Sequence, residues 1–367
     1  MVQETKTMKS ASTADKPAKL FEQNEPSNSV KLDNSANQDK HTNPNKVGKS
    51  DKASKSGKSS KSNKASESGK KKLPKSLIIG LVFVGIGILF ATLPFLFMVI
   101  NTYQSHEQAD SHAQAVQALK PPSGDVALQE ARQYNQDLYR DGAKAIGEVQ
   151  DPWSGSSDSA SEKDTRYQKM LDIPDDGIMA TIQYPRLGIN LPIRHGTGNE
   201  VLSAGAGHLY GTSLPVGGVN THAVISAHTG YDRLMFDRLS LREGKIGDFF
   251  YIQVLGETLA YQVRSIEVIE PDDFSHFGID AGKDQVTLLT CTPYGVNNKR
   301  LLVTGERVSM PEPAPDPASM PQSHPERVLI ASVLVVWLLF TLFVLLYLRK
   351  RRRRSKSAVG RALHRAE

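Results

Sequence analysis

TLLTCTPYGVNNKRLLVTGER, residues 287–307, holds the one cysteine of a 367-residue chain, Cys291, at the end of a β-like run. Pro293, Gly295 and the pair Asn297 and Asn298 break that pattern, and a second apolar run opens at Arg300. If the two runs are antiparallel neighbours, the loop between them returns Arg300 to the end of the sheet that carries Cys291. Five more runs of this kind lie upstream: IMATIQY, INLPIRH, THAVISAH, DFFYIQVL and LAYQVRSIEVIE. Seven short strands bounded by turn residues, from about Gly177 to residue 310, predict an all-β barrel or sandwich with length enough for one core. Two helical interludes, NEVLSAG and YDRLMFDRL, fit between them.

Outside this region the composition changes. Residues 1–75 hold 17 Lys against 8 acidic residues and almost no large apolar side chains. Such a segment buries too little apolar surface to offset its ordering entropy, so it reads as a disordered basic tail. Two uncharged apolar runs follow, residues 76–100 and 328–348, each long enough as a helix to cross a hydrocarbon core of about 30 Å. The first is too long and too far from the N-terminus for a signal peptide, and reads as a retained anchor. GKKKLPK precedes it and RKRRRR follows the second, so the positive-inside rule places both termini in the cytoplasm and residues 101–327 outside. The tail 349–367 has nine basic residues and one acid, which leaves 19 basic and 30 acidic residues, net −11, between the two tails. An acidic exterior argues against a nucleic-acid partner, and the lipid bilayer is the partner implied for the two spans.

Within the exterior, residues 101–147 read as a helical segment, with Leu128, Ala131, Tyr134, Leu138 and Ala145 near helical spacing. Residues 148–165 are a polar, Ser/Gly-rich loop containing Asp151, Pro152 and Trp153. The strands occupy 166–310, and the Pro-rich residues 311–327 read as an extended tether to the second span. No histidine or cysteine spacing suits a metal, and no Gly-rich phosphate loop is present, so neither metal nor cofactor is expected.

A single cysteine outside the cell has no intramolecular disulfide partner. It is either a small buried hydrophobe or a nucleophile. A thiolate attacking an amide carbonyl needs a proton carrier for the leaving amine and a donor for the oxyanion. VISAHTGY ends an apolar run at His228, as TLLTC does at Cys291, so both fit the rim of one barrel. Arg300 stays charged at working pH, which suits an oxyanion and favours a neighbouring thiolate. Taken singly, His228 could be a hydrogen-bonded strand-end histidine, like His195, His208 or His222, and Arg300 an ordinary strand-end charge. Occurring together at strand ends, the three are more specific.

TLLTC followed by Arg300 resembles the TLxTC…R signature of sortases, the membrane-anchored cysteine transpeptidases of Gram-positive bacteria. YPRLGINLPIRHGT, GAGHLYGTSLPVGG and AVISAHTGY resemble sortase segments in the same order. The resemblance implies a mainly β fold: a closed eight-stranded β-barrel with short helices, preceded by the helical segment and loop and flanked by the two spans. It implies Cys291 as nucleophile, His228 as general acid/base, Arg300 as stabiliser of oxyanion and substrate, and Thr290 as a residue shaping the substrate groove. The substrate class would be an LPxTG-like sorting signal, cleaved between Thr and Gly through a thioacyl enzyme.

The second span and DPW (Asp151, Pro152, Trp153) resemble class C, the pilus-assembling sortases, in which this motif forms a lid. Trp153 would then cover Cys291, Asp151 would pair with Arg300, and Pro152 would stiffen the turn. The acyl acceptor would be a lysine amine on another pilin. A housekeeping sortase anchoring surface proteins to the cell wall, a cysteine peptidase and a catalytically silent adhesion module are the alternatives.

Overall fold

The structure is a computed structural model that describes residues 74–142 and 160–363. Asp151, Pro152, Trp153 and Ala145 therefore lie outside the described residues. Two long helices flank the domain, α1 (Lys75–Gln117) and, at the other end, Pro325–Leu363; both are long and apolar enough to cross a membrane.

Helix α2 (Ser123–Arg140) follows α1 after a break at residues 118–122. Within the described residues, the helical segment expected over 101–147 is thus split between two helices, because Pro121 and Pro122 lack the N–H groups that a helix interior requires. Helix α2 buries Leu128 and Ala131 as its spacing predicted, and Asn135 as well. The Asn135 amide donates to Leu214 O (2.9 Å) and accepts from Leu214 N (2.7 Å), completing the backbone pairing of a buried loop.

After the short helices α3 (Ala160–Lys163) and α4 (Thr165–Lys169) come β1 (Ala180–Tyr184), β2 (Ile189–His195), α5 (Asn199–Ala204), β3 (Ala206–His208) and β4 (Thr221–Ser226). Then follow α6 (Asp237–Ser240), β5 (Phe249–Val254), β6 (Glu257–Ile269), β7 (Asp284–Thr292) and β8 (Lys299–Val308), with α7 (Pro325–Leu363) last. The strands close into an eight-stranded barrel in the order β1-β2-β3-β4-β7-β8-β6-β5. Pairs β2–β3 and β4–β7 are parallel and the others antiparallel. The expected closed eight-stranded architecture is present.

Strand β3 is the one that sequence patterning missed. It has three residues, and Gly207 at its centre packs so tightly that a Cβ would sit 2.3 Å from Gly196 O. The interlude YDRLMFDRL yields only the four-residue α6. Asp237 is the reason: its carboxylate accepts from Gly230 N (2.9 Å) and Met235 N (2.8 Å), so those amides close a loop and not a helix. Residues 311–324 are no free tether. Tyr251 donates to Pro315 O (2.7 Å), Ser323 N donates to Pro185 O (3.0 Å), and Ala314 is fully buried, so the segment is strapped along the barrel.

Strands β4 and β7 are buried along almost their whole length, which explains their continuous apolar runs. Ala223, Ile225, Val286 and Leu288 enter the barrel core, whereas Val224, Leu289 and Leu302 face outward beneath Phe277 of the β6–β7 loop.

Three histidines of the barrel, His195, His208 and His222, are held in structural hydrogen bonds. His195 is bonded to Met170 O, and His222 bridges Gly278 O and the Thr287 hydroxyl. His208 donates from Nε2 to Ser213 O (2.8 Å) and accepts at Nδ1 from the Tyr167 hydroxyl (2.8 Å), so it is held neutral. Burial pushes its pKa from 6.5 down to about 4. The unfolded chain therefore binds the extra proton first as pH falls. This contribution is complete above about pH 6.5 and declines towards pH 4, by up to about 3 kcal/mol. Thermal unfolding of the full chain in micelles should show lower stability at pH 5 than at pH 7.5, with a shallower dependence in His208→Gln.

Candidate active site

Strand pairing brings the three chemically distinctive residues to one end of the barrel's outer face. In the β7–β8 ladder Cys291 stands directly opposite Arg300. Strand β4 runs parallel to β7 with Ser226 opposite Leu289, and the pairing continues with Ala227 N donating to Leu289 O (3.2 Å). Extending that register by two residues along each chain segment sets His228 beside Cys291. Side chains alternate across a sheet, so Ser226 of β4 shares the outer face with Leu289 and Cys291 of β7 and with Leu302 and Arg300 of β8, and His228 follows two residues after β4 ends.

Cys291 and Arg300 are 5% and 6% exposed, so both side chains sit in a largely desolvated setting. The Arg300 Nη1 donates to Asn297 O (3.2 Å) and Lys299 O (3.1 Å), which fixes the guanidinium from the β7–β8 loop. Asn297 makes that possible by adopting a left-handed backbone (φ 60°), which turns the chain between the strands.

His228 is half-buried, and burial pushes its pKa below the ordinary value while the Asp232 carboxylate partly opposes this. The ring of Tyr231 lies over it, with centroids 4.8 Å apart and planes 31° from parallel. Tyr231 was present in the sequence as the last residue of VISAHTGY, but a loop aromatic carries no periodicity, and only the fold shows that it turns back onto the imidazole. Buried hydroxyls of Ser226, Thr229 and Thr292 flank the site without hydrogen-bond partners among the described residues.

Thr290 differs from expectation. It is fully buried, it alternates to the face opposite Cys291, and its hydroxyl donates to Ala227 O (2.8 Å). It lines no groove; it clamps the residue before His228 onto β7 from behind. Of the expected site residues, Cys291, His228 and Arg300 are thus gathered, Thr290 supports them, and the DPW residues lie outside the described part.

An arrangement of this kind suits acyl transfer. A thiol flanked by a fixed cation and an imidazole has the nucleophile, the oxyanion partner and the proton carrier that the reaction needs.

Known proteins bear on the family. The family described as the sortase domain matches residues 182–308. Among curated proteins, sortase A of Streptococcus agalactiae is 33% identical over 119 residues, 31% of this chain. That match spans 47% of the relative, so the chain covers about half of its length. Among solved structures, sortase C1 of GBS pilus island 1 is 37% identical, covering 58% of this chain and 96% of the other, with a TM-score of 0.50. Sortase C-1 from Actinomyces oris is 43% identical, covering 52% of this chain and all of the other, with a TM-score of 0.47. The shared domain, the identity over nearly the full length of a solved relative, and the closed barrel give one conclusion: this chain belongs to the sortase family of cysteine transpeptidases.

Proposed function

We propose that the chain is a pilus-assembling sortase that cleaves an LPxTG-like sorting signal between Thr and Gly and passes the acyl group to a lysine amine of another pilin. The observation that carries this reading is the placement of Cys291 opposite Arg300, with His228 alongside through the β4–β7 pairing. A solved relative supports the class, since it is titled as sortase C1 of a pilus island.

The chemistry follows from the three groups. The Cys291 thiolate adds to the Thr carbonyl, and Arg300 stabilises the oxyanion. The C–N bond breaks, and the departing glycine amine takes a proton from His228. A neutral lysine amine then adds to the thioacyl carbon and gives its proton to His228, and the C–S bond breaks to restore the thiolate. Both termini would lie in the cytoplasm and the barrel outside, so that substrates with apolar tails meet the enzyme at the bilayer. Asp151, Pro152 and Trp153 would form a lid over this site, a reading that rests on the sequence.

The test uses the full chain in detergent micelles with an LPxTG peptide and a lysine-bearing pilin domain. Mass spectrometry should find an isopeptide-linked product, formed several-fold faster in Asp151→Ala/Trp153→Ala because the lid no longer competes. Transfer only to a wall-precursor amine would support wall anchoring, and release only to water would support a peptidase.

A further inference from the structure

The loop that follows His228 is held from an unexpected direction. It leaves the barrel at residue 229 and returns at Phe236, whose N–H donates to His228 O (3.2 Å). Its base is tied by Asp237, as described above. Its tip, residues 232–234, is tied by helix α1, immediately after the apolar run that ends at Ile100. The Asn101 amide donates to both Asp232 O and Asp232 Oδ2, each at 3.0 Å. Leu234 N donates to the Thr102 hydroxyl (2.9 Å), and Arg233 Nη1 donates to the Ser105 hydroxyl (3.0 Å).

These bonds are directional. The Thr102 hydroxyl spends its proton on Met98 O (2.7 Å), and that of Ser105 on Asn101 O (3.1 Å). Each hydroxyl oxygen is left to accept from the loop. Both residues are almost completely buried, a place where an apolar side chain would serve if packing alone were required. Tyr231, adjacent to the tied tip, carries the ring that lies on His228.

We infer that Asn101, Thr102 and Ser105 are positioning residues of the active site, holding His228 beside Cys291 through the loop 229–236 and Tyr231. The membrane anchor and the acid/base group then form one mechanical unit. From Ile100 to Ser105 the helix rises only about 7.5 Å, so the unit sits at the bilayer face, where a scissile bond just ahead of an apolar tail would arrive. This inference rests on the role proposed for His228.

The simpler account, that these bonds merely dock α1, has its own control. Further along the same helix, Gln108 accepts from Arg194 (3.2 Å) and Asp110 accepts from Asn190 (3.0 Å), docking α1 onto β2 away from the His228 loop.

The experiment measures the rate of Cys291 alkylation by iodoacetamide against pH, using the full chain in micelles; with one cysteine in the chain, the label reports on that thiol alone. The variants are Asn101→Ala/Thr102→Val, Gln108→Ala/Asp110→Ala, the conservative Thr102→Ser, and His228→Ala. We expect the first to move the profile most of the way to that of His228→Ala, with peptide turnover falling about tenfold at nearly constant KM. Thr102→Ser and Gln108→Ala/Asp110→Ala should keep the parental profile. If His228→Ala alters the profile but Asn101→Ala/Thr102→Val does not, or if both helix double variants alter it equally, the inference fails and the catalytic reading stands. If His228→Ala leaves the profile unchanged, the role of His228 fails and the inference falls with it.

Discussion

Cys291→Ala should abolish the thioacyl adduct and reduce peptide transfer by at least about a thousandfold, the scale seen when a nucleophile is removed from a site that acts as a unit. No other thiol exists in the chain to replace it. The barrel should survive, because Cys291 lies on the outer face at the end of β7 while the core contacts of that strand are made by Val286 and Leu288. Intact-mass analysis of the full chain after incubation with an LPxTG peptide checks the adduct, and a melting curve checks the fold. A mass shift that persists in Cys291→Ala would move the nucleophile elsewhere and end the reading of this site.

Arg300→Lys should lower the turnover number about a hundredfold while changing KM much less, because an oxyanion partner acts mainly in the transition state. Charge is conserved in this substitution, so the loss isolates geometry. Arg300 uses Nη1 to hold two backbone carbonyls, of Asn297 and Lys299, and a guanidinium offers five N–H donors in a planar fork. A lysine ammonium is one compact, strongly hydrated point. It cannot hold both carbonyls at 6% exposure and also face the groove. Steady-state kinetics on the full chain decide this, and a lysine variant within threefold of the parent would reduce Arg300 to a source of positive potential.

Much of the site was legible because strand ends are legible. TLLTC, AVISAH and RLLVTGERV each change character at the residue that matters, since an apolar run must stop where a side chain meets a polar rim. The lone cysteine supplied the second signal. What escaped the pattern was short or irregular. Strand β3 is three residues around a glycine, too few for a period of two to register. The interlude YDRLMFDRL (231–239) read as helical, yet Asp237 captures amides that a helix would use and only α6 forms. The Pro-rich residues 311–327 read as an extended tether, yet Pro315 O accepts from Tyr251, Ser323 N donates to Pro185 O and Ala314 is buried against the barrel.

Local residue patterns alone point to a mainly β fold bracketed by two apolar helices, with Cys291, His228 and Arg300 as its reactive candidates. Periodicity, hydropathy and residue chemistry are local properties, and a chain displays them wherever it lies in space. The neighbours come from the fold: Arg300 opposite Cys291, His228 carried alongside by a parallel pair joined across 57 intervening residues (227–283), Thr290 turned to the inner face, and α1 bonded to the loop that follows His228. Parallel pairing and helix docking are contacts between segments far apart in the chain, set by which surfaces can be buried together, and no window of residues contains both partners.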